Sequence, residues 1–524
     1  MSSFSTILNL IFMVPESDNK RIAKNTTMLY FRMLFTMAVG LYTSRVVLER
    51  LGVNDYGIYN VVGGVVTMFS IVSASLSSAI SRFLTFELGK GNISKLRVIF
   101  STSLMIQLAI GLIVAVLVEG IGVWFLNAKM NIAPERLGAA NWVLQCSLVT
   151  FIINMISLPY NASIIAHEKM QAFAYVSFLE AFLKLGIAFL LFVPLFDTLE
   201  YYAVLLVVSS AIVRWVYGLY CRRNFEECKF QRVFDKKLLK EMLSFSGWNF
   251  IGSTSGILRD QGVNIVMNIF CGTAVNAARG VAVQVNTIVS SFSNNFMIAV
   301  NPQIIKSYAI GELEHMFILS NRSSRFSYYL LFLISFPVIL AAPYVLGIWL
   351  TVVPDHTVIF MRLILILGMS EALSLPLQFI NQATGNIKLY QLTVGGLQLL
   401  NFPISYLALY FGMNPSITFV IAIIISQICM FARLGILHKT VRMSVESFLK
   451  DVYTNVMLVS IVAVPIPLLY VALNPADNFP SFMLSTVISL LCSIFSVLFV
   501  GCGKNEREKL FSLITRRLKI KKNA

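Results

Sequence analysis

The chain has 524 residues, 57% of them hydrophobic and 13% charged, with a mean hydropathy of +0.77. A soluble domain carries about 25% charged residues, so this is the composition of an all-α polytopic membrane protein and not of a soluble globular one. The net charge of +16 is read as loop charge that sets membrane topology, not as a nucleic-acid-binding surface.

From the N-terminus, Met1–Val14 has no basic residue ahead of its short apolar run, so it is not a secretory signal, and Ile7–Val14 is too short to span a bilayer. Residues 1–24 are expected to be a cytoplasmic lead-in. Apolar stretches of about 20 residues follow. The first six, at roughly 27–48, 56–86, 98–126, 138–165, 170–195 and 200–221, define an N-lobe over 25–223. A charged connector occupies 224–241. Six more, at roughly 244–271, 275–305, 326–350, 357–383, 389–411 and 415–438, define a C-lobe over 242–442. Two further stretches, about 452–473 and 479–501, lie within 443–502, and 503–524 is a basic tail. The count is about fourteen spans.

The second stretch is apolar except for a seam. Asn60, Gly63, Thr67, Ser70, Ser73, Ser77 and Ser81 step by three and four, which puts them on one broad helix face. The seam returns 220 positions later: Thr67 matches Thr287, Ser70 matches Ser290, Ser73 matches Ser293, Ser81 matches Asn301 and Gly91 matches Gly311. Ser157-Leu158-Pro159 likewise matches Ser374-Leu375-Pro376 at an offset of 217. The chain therefore reads as two six-helix repeats with two helices outside them. Six is even, so both repeats insert the same way, about a pseudo-twofold axis along the membrane normal. Asn60, Thr67 and Ser73 in one half, and Asn264, Asn286, Ser290 and Asn294 in the other, are the expected polar lining of a lumen. Seams of small residues also permit close helix packing, the plainer reading for Gly63, Ser70 and Ser77.

Lys and Arg cluster on one side of the predicted membrane: Lys20, Arg21 and Lys24; Arg82, Lys90, Lys95 and Arg97; the connector; Lys439, Arg442 and Lys450; and the tail. By the positive-inside rule both termini are cytoplasmic.

Charges within spans cost roughly 2.5–3.5 kcal/mol each at the bilayer centre, so they mark function or pairing. Arg32, Arg259, Asp260, Arg279 and Arg362 are the candidate substrate-binding residues; Asp260, Glu371, Glu180 and Lys184 are candidates for ion coupling. Glu180 and Lys184, at i and i+4, can equally neutralise each other. Arg259 and Asp260 are sequential and point about 100° apart, so they are not expected simply to cancel. Arg45, Arg82 and Arg433 are placed near span ends, where long side chains snorkel. The arginine excess points to a cationic cavity and an anionic substrate.

Enzyme signatures are absent. The four histidines form no metal-binding pattern, no Walker A sequence occurs, and the seven cysteines are scattered without CxxC spacing. No metal or cofactor is expected.

Asn25-Thr26-Thr27, then Leu51-Gly52-Val53-Asn54-Asp55-Tyr56-Gly57-Ile58-Tyr59, Ser81-Arg82, Gly89-Lys90-Gly91 and Ile269-Phe270-Cys271-Gly272 together resemble the bacterial polysaccharide flippases of Wzx type, within the multidrug/oligosaccharidyl-lipid/polysaccharide exporter superfamily. The resemblance covers almost the whole chain. It implies a V-shaped MATE-like fold in the bacterial inner membrane and translocation of an undecaprenyl-diphosphate-linked oligosaccharide by alternating access. It also implies, as partners, membrane lipids, a polysaccharide polymerase and chain-length machinery. Cavity arginines would hold the diphosphate, and the seams would hydrate the sugar. Membrane potential, H+ or Na+ would supply the energy. The alternatives are a drug/cation antiporter of the same fold, which favours an acidic cavity, and a membrane glycan polymerase, which needs larger external loops than this chain has.

Overall fold

The computed structural model describes residues 16–67, 69–129, 132–231, 235–350, 353–474, 478–503 and 507; the rest of the basic tail and the Ile7–Val14 run lie outside them. The described residues divide into two compact units, one of Thr27–Phe250 and one of Ile251 onward together with the residues that precede Thr27.

The first unit contains most of α1 (Glu16–Thr67), then α2 (Ser70–Gly89), α3 (Ile93–Leu117) continuing through a π-helical turn into α4 (Val123–Lys129), α5 (Leu137–Ala166), α6 (Met170–Leu190) and α7 (Thr198–Asn224). Local sequence sets these boundaries. Asn92 caps α3 by accepting from the Lys95 amide at 3.1 Å, and Asp197 caps α7 by accepting from Leu199 and Glu200. Val47, Leu51, Val62, Val114, Leu144 and Leu199 are buried in this unit's core.

The second unit is entered within α8 (Lys236–Ala309). It continues with α9 (Leu313–Leu340), α10 (Ala342–Trp349), α11 (Thr357–Thr384), α12 (Lys388–Leu399), α13 (Asn401–Tyr410), α14 (Ile417–Val441), α15 (Val445–Phe448), α16 (Asn455–Ala463), α17 (Pro465–Leu473) and α18 (Phe479–Ser496). The last helices dock through small polar residues. Ser489, Ser493 and Ser496 of α18 are fully buried, as are Ser320, Ser323, Ser324 and Ser327 of α9, which it packs against. The Tyr329 hydroxyl reaches Asn455, whose amide donates to the Gly501 carbonyl at 3.3 Å.

Eleven helices among the described residues are long and apolar enough to cross a membrane. The sequence-counted stretches missing from these eleven are 56–86, 244–271 and 275–305. Of these, 244–271 and 275–305 lie in α8 and carry Arg259, Asp260, Arg279 and the second polar seam, which lower their hydropathy, whereas 56–86 is divided between the end of α1 and α2. Large apolar residues such as Leu112, Val116, Trp215, Ile461 and Leu469 are exposed instead, the surface expected of a protein solvated by lipid.

The duplication is visible in the backbone. α1 and α8 are each two helices merged across a glycine, Gly52 (φ 74°, ψ 168°) and Gly272 (φ 81°, ψ −179°). These positions lie 220 apart, like the seams. A Cβ would meet nothing within 4 Å at either, so the constraint is conformational rather than steric. Gly91 and Gly311, also 220 apart, both have positive φ, as do Glu168 and Gly385, which are 217 apart like the two Ser-Leu-Pro matches.

Candidate functional site

Four of the sequence-predicted charges, Arg259, Asp260, Arg279 and Glu371, converge in the second unit. Arg259, Asp260 and Asn264 come from the first limb of α8, Arg279 and Asn286 from its second limb, Glu371 from α11 and Thr418 from α14. Together they line a cavity of about 320 Å³. The bend at Gly272 folds the two limbs of α8 back so that residues twenty positions apart face one space.

Arg259 and Asp260 do pair, contrary to the sequence expectation: Arg259 Nε donates to Asp260 Oδ1 at 2.9 Å, and Nη1 to Glu371 Oε1 at 3.1 Å. Their Cβ directions diverge as expected, but the guanidinium sits at the end of a long side chain, and its fork spans both carboxylates. The arginine side chain is 18% exposed, against 58% for Asp260 and 38% for Glu371, so the carboxylates are the open side of this triad. Arg279 is different. It is buried, donates from Nη2 to the Asp260 backbone carbonyl at 3.0 Å, and lies over the Phe419 ring at 5.7 Å. Its Nε is buried without a hydrogen-bond partner. Arg279 thus lines the cavity with donor capacity that no carboxylate takes up.

A second, smaller chamber of about 170 Å³ shares Arg259 and Glu371 and continues to Ser374, Gln398 and Arg433. Arg433 does not snorkel. It is buried, with Nη1 at 2.6 Å from Ser374 Oγ and Nε at 3.2 Å from the Tyr390 hydroxyl. Thr418, Ser426, Cys429 and Arg433 fall on one face of α14 by helical spacing, the signal that would have found it. Arg82 is likewise buried, against the rings of Phe83 and Phe86, rather than at an exposed end.

The remaining candidates lie elsewhere. Arg362 donates from Nε to the Ile339 carbonyl at 3.0 Å, bracing α11 against α9, and does not line the cavity. Ser290 donates to Asn286 Oδ1 at 3.3 Å, and Asn294 is exposed. Arg32 belongs to the first unit, where it stacks over Phe173 at 4.4 Å with Nη1 at 3.5 Å from Ser177 Oγ. Glu180 and Lys184 pair at 2.7 Å and line a separate cavity of that unit. Ser73 is half-buried; the side chains of Asn60 and Thr67 lie outside those described.

Residues 22–310 match the family of polysaccharide biosynthesis proteins. The chain belongs to this family. A relative, the uncharacterized membrane protein EpsK of Bacillus subtilis (strain 168), is 21% identical over 294 residues, 56% of this chain and 58% of EpsK, so less than two thirds of that relative is matched. Among solved structures, an outward-facing multidrug-resistance MATE transporter of the MOP superfamily is similar at a TM-score of 0.68 and 14% identity, over 81% of this chain and 95% of that one. A MOP-superfamily transporter from Pyrococcus furiosus, whose report describes a binding pocket of reversed polarity, is similar at 0.65 and 13%, over 78% and 94%. At such identities the likeness is one of fold. This family member is a multi-pass membrane protein with a MATE-like fold.

Proposed function

We propose that the protein moves an undecaprenyl-diphosphate-linked oligosaccharide from the inner to the outer leaflet of the bacterial inner membrane, with both termini cytoplasmic, for surface polysaccharide synthesis. The observation that carries this reading is Arg279. It is a buried cation on a polar intramembrane cavity, with open donors and no carboxylate bonded to it. A diphosphate oxygen is the complement of such a group. Arg259 is committed to Asp260 and Glu371 and supports the site rather than offering a second free cation. Outward passage of about two negative charges across an inside-negative potential of 100 mV releases up to ~4–5 kcal/mol, enough to drive accumulation. A polysaccharide polymerase and chain-length machinery would take up the product.

A second reading, a drug/cation antiporter, draws on one observation: the Asp260 and Glu371 carboxylates are the exposed members of the triad and could receive H+, Na+ or a cationic solute. Proteoliposomes separate the two. The flippase reading expects a fluorescent lipid-linked oligosaccharide to cross faster under an imposed outward-driving potential. Absence of any such movement, with exchange of a lipophilic cation for H+ or Na+ instead, refutes it. Movement that ignores potential and follows only a pH or Na+ gradient refutes the electrophoretic mechanism and assigns coupling to the two carboxylates.

A further inference from the structure

The first unit holds a cavity of about 430 Å³ that the diphosphate chemistry does not use. It lies among α5, α6 and α7, with Tyr59 of α1 at one wall, and its size is within the roughly 300–1,000 Å³ of small-molecule sites. We propose that it is a saccharide-binding subsite. This rests on the lipid-linked-oligosaccharide reading above and gives the glycan its own place, on residues other than the seams.

Three features carry the proposal. First, the lining is hydrogen-bonding almost throughout: only Leu158, Leu206 and Val213 lack a polar group. Thr150, Asn154, Ser157 and Asn161 recur at i, i+4, i+7 and i+11 along α5, one continuous polar stripe facing an open volume rather than a packed neighbour. Such a stripe in a bilayer-spanning helix is costly unless it meets water or a polar ligand.

Second, its charge is balanced internally. Glu180 and Lys184 pair at 2.7 Å, unlike Arg279 in the other unit, so nothing here selects strongly for an anion. What remains is neutral hydroxyl and amide chemistry. Asn161 Oδ1 is buried with no hydrogen-bond partner, an acceptor that a sugar hydroxyl or N-acetyl N–H would satisfy.

Third, two tyrosines line the same space. Tyr59 is held edge-on to Tyr202, ring centroids 5.0 Å apart, and Tyr217 is buried. A phenol ring offers an apolar face to the C–H side of a pyranose, and Tyr217 also offers a hydroxyl to its rim, whereas the Tyr59 hydroxyl is already paired with that of Tyr202. Polar groups that each expect a hydroxyl discriminate against ligands lacking one, because the site's own groups are then left unpaired.

The test uses the full chain in lipid nanodiscs and a panel of free hexoses, N-acetylhexosamines, 6-deoxyhexoses, hexuronic acids and their disaccharides, read by saturation-transfer NMR. At least one class is expected to bind. Its affinity should fall roughly tenfold or more in Asn161→Leu and in Ser210→Leu, and stay unchanged in Gly435→Ala, which lines neither cavity. Asn161→Asp and Ser210→Ala, with thermal unfolding as a check, guard against misfolding of the leucine variants. Binding by no sugar, binding indifferent to all four substitutions, or displacement only by a lipophilic cation such as tetraphenylphosphonium overturns the proposal. If lipid-linked oligosaccharide is flipped at the wild-type rate and selectivity by these variants, the subsite falls while the flippase reading stands. If free sugar binds here but no lipid-linked sugar is moved, the flippase reading falls and the subsite stands.

Discussion

Replacing Arg279 by alanine is the sharpest test of the cavity in the second unit. The substitution removes a buried guanidinium whose structural ties are few: one hydrogen bond to the Asp260 carbonyl and a ring contact with Phe419. Those are worth about 1–2 kcal/mol together, so the variant should fold and reach the membrane. The functional loss should be larger. A hydrogen bond to a charged group contributes about 1.5–3 kcal/mol, and the guanidinium fork can give a phosphate two, so at least ~3 kcal/mol, or about 100-fold, should be lost from flipping. Arg279→Lys keeps the charge but not the fork and should fall between. The assay is dithionite quenching of a fluorescent lipid-linked oligosaccharide in proteoliposomes, normalised to reconstituted protein. Wild-type flipping by Arg279→Ala would refute the assignment of this arginine to the diphosphate.

Three further outcomes follow from the geometry. Arg259→Ala strands two carboxylates and should cost about 1–2 kcal/mol, discounted from the buried-pair range because both are partly exposed; adding Glu371→Gln should restore part of that loss, whereas strict additivity in thermal unfolding would show the pair is not coupled. Gly272→Ala and Gly52→Ala each force an alanine into a conformation open essentially only to glycine and should destabilise by about 1–3 kcal/mol, whereas Gly435→Ala, in an ordinary helical position with nothing within 4 Å of its Cβ, should be neutral or stabilising; equal melting temperatures for all three would contradict this. Just before α5, Arg136 bridges Asp55 and Asp197, the latter in the turn that precedes α7. Burial would raise the Asp197 carboxyl, but hydrogen bonds from Arg136 and the α7 amides outweigh it and hold it below the usual range. A depressed carboxylate stabilises above its unfolded pKa and loses that contribution as pH falls through its folded pKa. Arg136→Gln should therefore be less stable than wild type at neutral pH, with the gap closing below about pH 4; a gap that widens on acidification would reverse the assignment.

Much of this protein is legible in one dimension because the bilayer imposes a one-dimensional rule: about twenty apolar residues per crossing. That rule, with the offsets of 220 and 217, was enough to read an all-helical polytopic chain built from a repeat. The glycines at 52 and 272 carry the same information, since their backbone geometry depends on having no Cβ. What folding alone decided is which charges meet. Helical spacing sets the direction of a Cβ, not the reach of a guanidinium, so Arg259 was expected to stand apart from Asp260 and instead bonds it and, across to α11, Glu371. Arg433 looked like a residue at a helix end because its burial depends on Ser374 and Tyr390, brought to it from two other helices. The cavity among α5, α6 and α7 is a property of three helices packed together: each polar stripe can be read along its own segment, but the empty volume they enclose belongs to none of them.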